Sequence, residues 1–560
     1  MFISEDTALP SLQDTPHGRV YPDAKTIEQL RAKVKQDLGA LVDGGDVFKD
    51  NAFPHLKTAD WEAKVEQFFT KKSSLYDKTL KAWSGIPQDT SLERDLYEPL
   101  VEIINRVISW FGIRDRTALN TSRIYVPHEQ EGAEMLDSSQ LRPDEAERLG
   151  DASDARTVLK SAPDIMIVGR GGKCFKDEEY PVKPNYASCA TIWEVKLNKN
   201  SASFEDHVVQ LYIYARQCFY EQKNRNFLHA VLITQTHVQL FHFNRSLLVH
   251  SSRFNYHYNP ETFVRMVLGM LSPDESHLGF DMSIFWTTED DAEETPQRVQ
   301  KMKLMLSEPE AEIKMWQVVP VNGNRWIAKE IRGRATTCWS ITQNGVRRLV
   351  KKLWRIQGRD EEWNFFKAVK GMKGVAQMYC YQEGGTALTH ASLIKGIFTE
   401  EQLKFDRIWC CLTFEEYGPT LESFKSVLHL LYAFLDAVNG HWNLWNIGIL
   451  HRDISLNNVL FGRKYAKAID PLDPKIKEGY RGVIIDLDLA IWISRTESNR
   501  NDVRTGTKVF QSIKVLFGGG WPHDFLDDLE SFFLLLAWVL FTYEAPGILK
   551  KVTPAIVKTW

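Results

Sequence analysis

The chain has 560 residues, of which 43% are hydrophobic, 25% charged and 12% aromatic, and its formal net charge is −4. This composition is typical of two to four globular domains, and it excludes a disordered chain and a general electrostatic attraction to nucleic acid. Seven scattered cysteines without a CxxC pair argue against a disulfide scaffold or a zinc site. They favour reduced thiols and an intracellular protein of the cytoplasm or nucleus.

The first ninety residues predict a helical lead-in, 1–90. An apolar stripe at helical spacing runs through Ile27, Leu30, Val34, Leu38 and Leu41. The start of the chain lacks a basic segment followed by an apolar one, so no secretory signal is predicted. The longest apolar run, 532–541, is too short to span a bilayer, and we expect no membrane partner.

Residues 91–285 predict an α/β domain of short strands and two helices. The predicted elements are a helix over 92–111, strands over 163–168 and 190–196, a helix over 204–221, and strands over 228–234 and 237–243. The polar residues 128–156 predict a loop.

Polar side chains stand on these elements at fixed offsets. Glu194 and Lys196 lie two apart on a strand and therefore share a face, while Gln210 and Tyr214 lie one helical turn apart. With Asp164 on the preceding strand, this order resembles the PD-(D/E)xK restriction-endonuclease-like superfamily. The resemblance implies a second Mg²⁺ or Mn²⁺ shared by the two acids, and DNA as a partner. It also implies that the lysine steadies the attacking water or the leaving oxygen. Glu98 is a further candidate acid.

An acidic run at 287–294 makes residues 286–310 the predicted linker to the next domain. From 311 onward the pattern is strand-like, then a helix near 359–371, then a mainly helical half from about 420.

The most specific motif of the chain is His451-Arg452-Asp453, with Asn458 five residues after the aspartate. On a tight loop, Asp453 can orient a hydroxyl nucleophile while Asn458 holds a metal. Asp486 ends a hydrophobic run and supplies the carboxylate for Mg²⁺ bound to nucleotide phosphates.

These motifs resemble protein kinases, most closely the fungal-type protein kinase family, over residues 311–545. The resemblance implies a two-lobed fold in which Lys351 holds the α/β-phosphates and pairs with Glu362. Asp453 is then the base, and Asn458 and Asp486 are the metal ligands. The nucleotide-binding residues implied by the resemblance are Gly333, Arg334, Thr336, Lys351, Glu415 and Tyr417.

Alternatives and supporting residues accompany this assignment. In this ion pair, Lys352 is the alternative to Lys351, and Glu361 is the alternative to Glu362. The resemblance also implies that Thr507 reaches Asp453 and that Asp528 anchors the catalytic loop.

Three residues depart from the kinase pattern at positions that affect the rate of phosphate transfer. Ser455 replaces a lysine that neutralises the γ-phosphate, Asp488 replaces a flexible glycine, and Lys514 stands where a glutamate is expected. The chain stops about thirty residues after Asp528, which predicts either a truncated C-terminal lobe or cover from the N-terminal domain.

The expected fold class is α+β multidomain, with a kinase-like domain over 311–560 after the PD-(D/E)xK-like domain and its lead-in. The expected function is transfer of the ATP γ-phosphate, with Mg²⁺, to a serine or threonine of a protein substrate. One alternative is a pseudokinase or nucleotide-binding module. Another is a metal-dependent nuclease or toxin-like effector fused to a kinase.

Overall fold

The structure, a computed structural model, describes most of the chain from residue 31 to residue 550. The described residues are 31–32, 34–35, 38, 41–70, 75–123, 126–127, 160–175, 183–199, 202–290, 298–307, 313–319, 326–327, 331–358, 360–390, 395–462, 481–494, 506–517, 522–546 and 548–550. The predicted positions Ile27 and Leu30 and the predicted loop 128–156 lie outside them.

The first structural unit is built on residues 41–283. Its strands are β1 Leu41–Gly44, β2 Tyr76–Asp77, β3 Ala82–Trp83, β4 Arg116–Asn120, β5 Val126–Pro127, β6 Lys160–Ser161, β7 Ile165–Gly169, β8 Cys189–Val195, β9 Phe227–Ile233, β10 His237–Asn244, β11 Leu248–Ser251 and β12 Phe254–Asn255. Its helices are α1 Gly45–Asn51, α2 Ala59–Thr70, α3 Arg94–Trp110, α4 Phe204–Glu221 and α5 Pro260–Met270.

An eight-stranded sheet in the order β1-β11-β10-β9-β8-β7-β4, with β12 on β10, forms the centre of this unit. Strands β4, β7 and β8 are antiparallel neighbours, whereas β8 and β9 are parallel. Parallel neighbours need a crossover connection, and α4 supplies it. Along the chain, the order is therefore helix α3, the sheet strands β4, β7 and β8, helix α4 and strand β9.

Strand β8 is buried along its whole length because helices cover both faces of the sheet. Trp193 packs in one core with Ile104 of α3 and Val267 of α5. Its neighbour Ile192 packs in the opposite core with Val209 of α4. This alternation places successive side chains on opposite faces, as the period of a strand requires.

Residues 41–83 do not form the separate helical lead-in that the sequence predicts. Strand β1 pairs in parallel with β11 of the large sheet. Phe48, Phe68 and Trp83 are buried in the same core as α3. The apolar stripe predicted correctly that the segment packs against another part of the chain. The spacing of apolar residues could not identify the packing partner, because that partner is distant in sequence.

Gly279 is a position where the backbone excludes other residues. Its φ is +97°, and an added Cβ would meet the carbonyl oxygen of Phe227. Gly345, with φ of +77°, has nothing within 4 Å of the same atom. We expect Gly345→Ala to cost about 1–2 kcal/mol for the left-handed backbone, and Gly279→Ala about 2–5 kcal/mol because the clash adds to it. Thermal or urea unfolding of the two variants measures this difference; equal losses would contradict it.

The second unit begins with another eight-stranded sheet and continues into helices. Its strands are β13 Ile284–Asp290, β14 Arg298–Ser307, β15 Ile313–Val318, β16 Trp326–Ile327, β17 Thr337–Gln343, β18 Val346–Ile356, β19 Met378–Thr386, β20 Arg407–Glu415, β21 Ile449–Leu450, β22 Val459–Phe461, β23 Gly482–Ile484, β24 Ile491–Trp492, β25 Tyr543–Ala545 and β26 Ile548–Leu549. Its helices are α6 Glu362–Ala368, α7 Ala387–His390, α8 Glu400–Leu403, α9 Val427–Asn446, α10 Ile513–Phe517 and α11 Phe525–Thr542.

The sheet of this unit runs β13-β14-β15-β17-β18-β20-β19, with β16 on β17. Strands β13 and β14 correct the prediction of an acidic linker over 286–310, because they pair with each other and β14 pairs with β15. Ile284, Leu304 and Leu306 are buried in the core of this sheet. The linker prediction relied on the acidic run and did not use the apolar residues spaced two apart, although that spacing is the period of a strand.

The helical half follows the sheet. Helices α9 and α11 share a core through Leu430 and Ala433 on one and Phe532 and Leu535 on the other. Among the described helices, none combines the length and the apolar character needed to cross a membrane.

The two units contact each other through side chains of β18 and the segment before β17. Lys352 Nζ lies 2.8 Å from Asp281 Oδ2. The Gly333 amide donates to the Arg245 carbonyl at 3.1 Å, and the Arg245 guanidinium donates to the Ile331 carbonyl at 3.2 Å. The first unit therefore holds the chain that leads into β17.

Candidate active site

Lys351 stands at the centre of a buried ion-pair network. Its Nζ lies 2.8 and 2.9 Å from the two carboxylate oxygens of Glu362 and 2.7 Å from Asp486 Oδ1. Lys352, one residue later on β18, faces the other side and pairs with Asp281 instead. Glu361 is the residue before α6 and reaches Arg355 at 3.5 Å. The structure thus brings together the predicted pair and not its two alternatives.

The loop after β21 places Asp453 and Asn458 side by side. Asn458 Nδ2 donates to Asp453 Oδ2 at 3.0 Å. The Thr507 amide and hydroxyl both donate to Asp453 Oδ1, at 2.8 and 2.9 Å. One carboxylate oxygen is therefore held by the loop itself and the other by a residue 54 positions later.

Asp528, near the start of α11, anchors the backbone of this loop. The Arg452 amide donates to its Oδ1 at 3.1 Å, and His441 and His523 contact its two oxygens at 2.9 and 3.0 Å. Burial alone would raise the pKa of Asp528, but the two histidine hydrogen bonds hold it well below its usual range. The predicted anchoring contact is present.

Two non-glycine residues here have left-handed backbones. Arg452 has φ of +70° and Asp486 has φ of +64°. Such conformations are costly and persist where the surrounding structure enforces them, which is most common at functional sites.

A cavity of about 450 Å³ opens beside these groups. Apolar side chains, among them Leu349, Phe414 and Leu460, line one part of it, and Lys351 and Asp486 line another. Of the residues predicted to bind nucleotide, the lining contains Thr336, Lys351, Glu415 and Tyr417. An apolar pocket with a few convergent polar groups is the usual form of a small-molecule site.

Gly333 and Arg334 lie outside this lining. The amide of Gly333 points to Arg245 of the first unit. Arg334 is buried and forms an ion pair with Asp488, two residues after Asp486. The predicted phosphate loop is thus joined to the first unit at Gly333 and, at Arg334, to the segment that follows the cavity-lining Asp486.

The charges of the site shift the ionisation of its acids. Burial and the neighbouring Asp486 carboxylate raise the pKa of Asp453 to about 7. Burial also raises the pKa of Glu362. Burial alone would lower the pKa of Lys351, but Asp486 and Glu362 outweigh it and raise that pKa. The lysine is therefore charged at neutral pH, while Asp453 is poised to exchange a proton.

A metal bound to nucleotide phosphates fits the residues present. Asn458 Oδ1 is buried and has no hydrogen-bond partner within the described residues, although its amide nitrogen is engaged. Asp486 supplies a carboxylate on the same cavity wall. Among the described residues no group of three or more His, Cys, Asp or Glu side chains could hold a metal. Two protein ligands suffice for Mg²⁺ when phosphates and waters complete its shell.

Lys514 has its own partners in place of the missing glutamate. Its Nζ lies 2.8 Å from both Asp524 and Asp527 at the start of α11. An ion pair with its positive charge on α10 therefore joins α10 to α11. Lys514 departs from the kinase pattern but still forms an ion pair at this position.

A second polar cluster lies on the first unit. Lys196 Nζ is 2.6 Å from Glu194 Oε1 and 3.8 Å from Asp164 Oδ2. Burial and Asp164 raise the pKa of Glu194 to about 8, and burial raises that of Asp164. Gln210 Nε2 donates to the Tyr214 hydroxyl at 2.7 Å. The strand acids and the lysine converge as predicted.

The helical acid of this cluster is Glu93 and not Glu98. Glu93 Oε2 lies 3.6 Å from Lys196 Nζ, and Tyr97, one turn later, hydrogen-bonds Asp164. Glu98 is exposed and accepts a hydrogen bond from Asn120 at 2.7 Å. Glu93 and Tyr97 lie four residues apart, and this spacing was the available sign that they share a helix face.

The cavity, the lysine–glutamate pair and the Asp–Asn loop together define a protein kinase type of site. A family model described as fungal protein kinase matches residues 162–386 and 385–540, which is more than half of the 560 residues. The chain belongs to the fungal protein kinase family. The match begins at 162 and so includes Asp164, Glu194 and Lys196 as well as the site in the second unit. No curated protein matches the chain.

Proposed function

We propose that this chain is an ATP-dependent protein kinase of the serine/threonine type, with a two-lobed catalytic domain whose cleft is the cavity beside Lys351. The observation that carries the proposal is that Lys351, Asn458 and Asp486 line one cavity, with Asp453 hydrogen-bonded to Asn458 beside it. A fixed cation, an oriented carboxylate and two oxygen ligands are the parts that phosphoryl transfer requires.

The roles follow from the contacts. Lys351 binds phosphate oxygens, and Glu362 keeps its ammonium group in place. Mg²⁺, when bound, would neutralise phosphate charge and would be held by Asn458 and Asp486. Asp453 orients the acceptor hydroxyl and takes its proton as the oxygen bonds to the γ-phosphorus and ADP leaves with the electrons of the broken bond. The Thr507 contact supports a serine or threonine acceptor.

Labelled γ-phosphate transfer to a protein acceptor tests this proposal, and its pH dependence tests the base. Because Asp453 with a pKa of about 7 must be deprotonated to accept a proton, we expect the rate to rise with pH and to level off above about 7. A bound metal would oppose the repulsion from Asp486 and move this midpoint downward. A rate that falls between pH 5.5 and 7.5 would contradict the role of Asp453. Divalent-dependent ATP binding without transfer would favour a pseudokinase.

The first unit supports a second candidate function, a PD-(D/E)xK-type metal-dependent nuclease. Its order of helix, three strands of the large sheet, helix and strand agrees with the core of that superfamily. Asp164 immediately precedes β7, Glu194 lies on the adjacent β8, and Lys196 immediately follows β8. Glu194 Oε2 is buried and has no hydrogen-bond partner among the described residues. A divalent ion fits that atom, and Lys196 would hold the attacking water or the leaving oxygen.

Cleavage of DNA with Mg²⁺ or Mn²⁺ tests this candidate. We expect Lys196→Ala to reduce cutting by about 10²-fold or more, since a charged group beside the reacting oxygens would be lost. Lys199→Ala, an exposed lysine in the following turn, is the matched control and should cut normally. If the wild-type chain leaves DNA intact at high concentration, or if both variants cut alike, the first unit is not a nuclease.

A further inference from the structure

Arg334 occupies a position that the roles given above leave unexplained. It lies three residues before β17, and its carbonyl accepts a hydrogen bond of 2.7 Å from the Trp354 amide of β18. The flanking backbone is left-handed at Gly333, with φ of +113°, and at Ala335, with φ of +43°. A positive φ at alanine is costly, so contacts on both sides must hold this segment in place.

Those contacts come from both units. The Gly333 amide bonds the Arg245 carbonyl, and Arg332 Nε donates to the Ser246 carbonyl at 3.0 Å. Ile331 is buried in the core of the first unit. The side chain of Arg334 therefore extends from a fixed base, which reduces the entropy lost when it binds a ligand.

The guanidinium reaches the segment that follows Asp486, a residue that lines the cavity. It pairs with Asp488. Burial raises the pKa of both Glu362 and Asp453, and the charge of Arg334 offsets a small part of that rise. It is therefore close enough to act on the carboxylate that holds Lys351 and on the carboxylate of the proposed base. This region, between Lys351 and Asp453, is where the phosphate to be transferred must lie in the proposed function.

The catalytic loop supplies no cation of its own at the position that serine/threonine kinases use. Ser455 is there, two residues after Asp453, and its hydroxyl is buried. Among the described residues that line the cavity, Lys351 is the single basic one, beside the acids Glu362, Glu415 and Asp486. Lys351 and a bound Mg²⁺ would face both the triphosphate and these acids, so a further cation from the protein would stabilise the bound nucleotide.

We propose that Arg334 is the γ-phosphate receptor of this kinase, and that Asp488 holds its guanidinium until the γ-phosphate of ATP displaces it. Arginine suits this exchange because its planar fork binds carboxylate and phosphate oxygens with the same geometry. ADP lacks the γ-phosphate and leaves the Arg334–Asp488 pair intact. The inference rests on the proposed function, since it assigns a residue to the γ-phosphate of the same nucleotide.

Calorimetric titration of the full chain with Mg·ATP and with Mg·ADP tests the inference. Arg334→Gln should weaken ATP binding about 10- to 100-fold, the worth of one charge-assisted hydrogen bond, and should leave ADP binding within about twofold. Arg334→Lys should recover part of the loss. Asp488→Asn should move ATP binding in the opposite direction, several-fold tighter, because a competing anion is removed.

The outcomes are separable from the fate of the kinase proposal. If Arg334→Gln weakens ATP and ADP alike, or if Asp488→Asn weakens ATP as well, the pair merely supports the fold of the loop and the inference fails while nucleotide binding stands. If the folded wild-type chain binds neither nucleotide, the proposed function fails first.

Discussion

Replacement of Asp453 by asparagine is expected to lower phosphate transfer about 10²–10⁴-fold, the usual contribution of a positioned general base. The amide has almost the same shape, so the Asn458 and Thr507 contacts can persist in part, but it cannot accept the hydroxyl proton. ATP binding should change little, because Asp453 does not line the nucleotide cavity. The loss should therefore be found in kcat and not in the KM for ATP.

The control for this variant is an aspartate-to-asparagine change away from the cavity. Asp60 is exposed on α2 and pairs with Lys64, so Asp60→Asn should transfer phosphate at the wild-type rate. Transfer by Asp453→Asn within a few-fold of the wild type would show that this carboxylate is not the base.

The second large effect is expected for Lys351→Met. Removal of the ammonium group leaves Glu362 and Asp486 buried without their cation, and breaking a buried pair in this way costs about 3–5 kcal/mol. Mg·ATP binding should be lost as well, since the same group is the one that contacts phosphate. Thermal unfolding and nucleotide titration of the same sample measure the two effects.

Lys352→Met separates these effects. Lys352 is also buried and also pairs with a carboxylate, that of Asp281, but it lies on the opposite face of β18. We expect a similar loss of stability and normal nucleotide affinity for the folded protein. Loss of ATP binding in both variants would mean that the strand, and not the Lys351 side chain, is what the nucleotide needs.

The site in the second unit was predictable because its motifs are local. Asp453 and Asn458 are five residues apart on one loop, and the resemblance to protein kinases implied the role of Lys351, which lies on β18. The local pattern also placed helix Phe204–Glu221 at its observed bounds. The Lys351–Glu362 pair needed one further step, the expectation that a strand lysine meets a helix glutamate.

Contacts between distant segments were not predictable in this way. Nothing in the local pattern around Ile331 indicates that it is buried in the core of the first unit. The ion pair of Arg334 with Asp488 joins residues 154 positions apart in the numbering of the chain, and no periodicity connects them. Strands β13 and β14 were not predicted, because the acidic run at 287–294 was taken as a linker although apolar residues lie on both sides of it.

The central claim is that Lys351, Asn458 and Asp486 converge on one Mg·ATP complex. A crystal structure of the chain with Mg²⁺ and a non-hydrolysable ATP analogue tests it most directly. We predict the adenine against Leu349 and Leu460, phosphate oxygens at Lys351, and the metal between Asn458 Oδ1 and the Asp486 carboxylate. An empty cavity at saturating nucleotide, or a nucleotide bound elsewhere on the chain, would contradict the account.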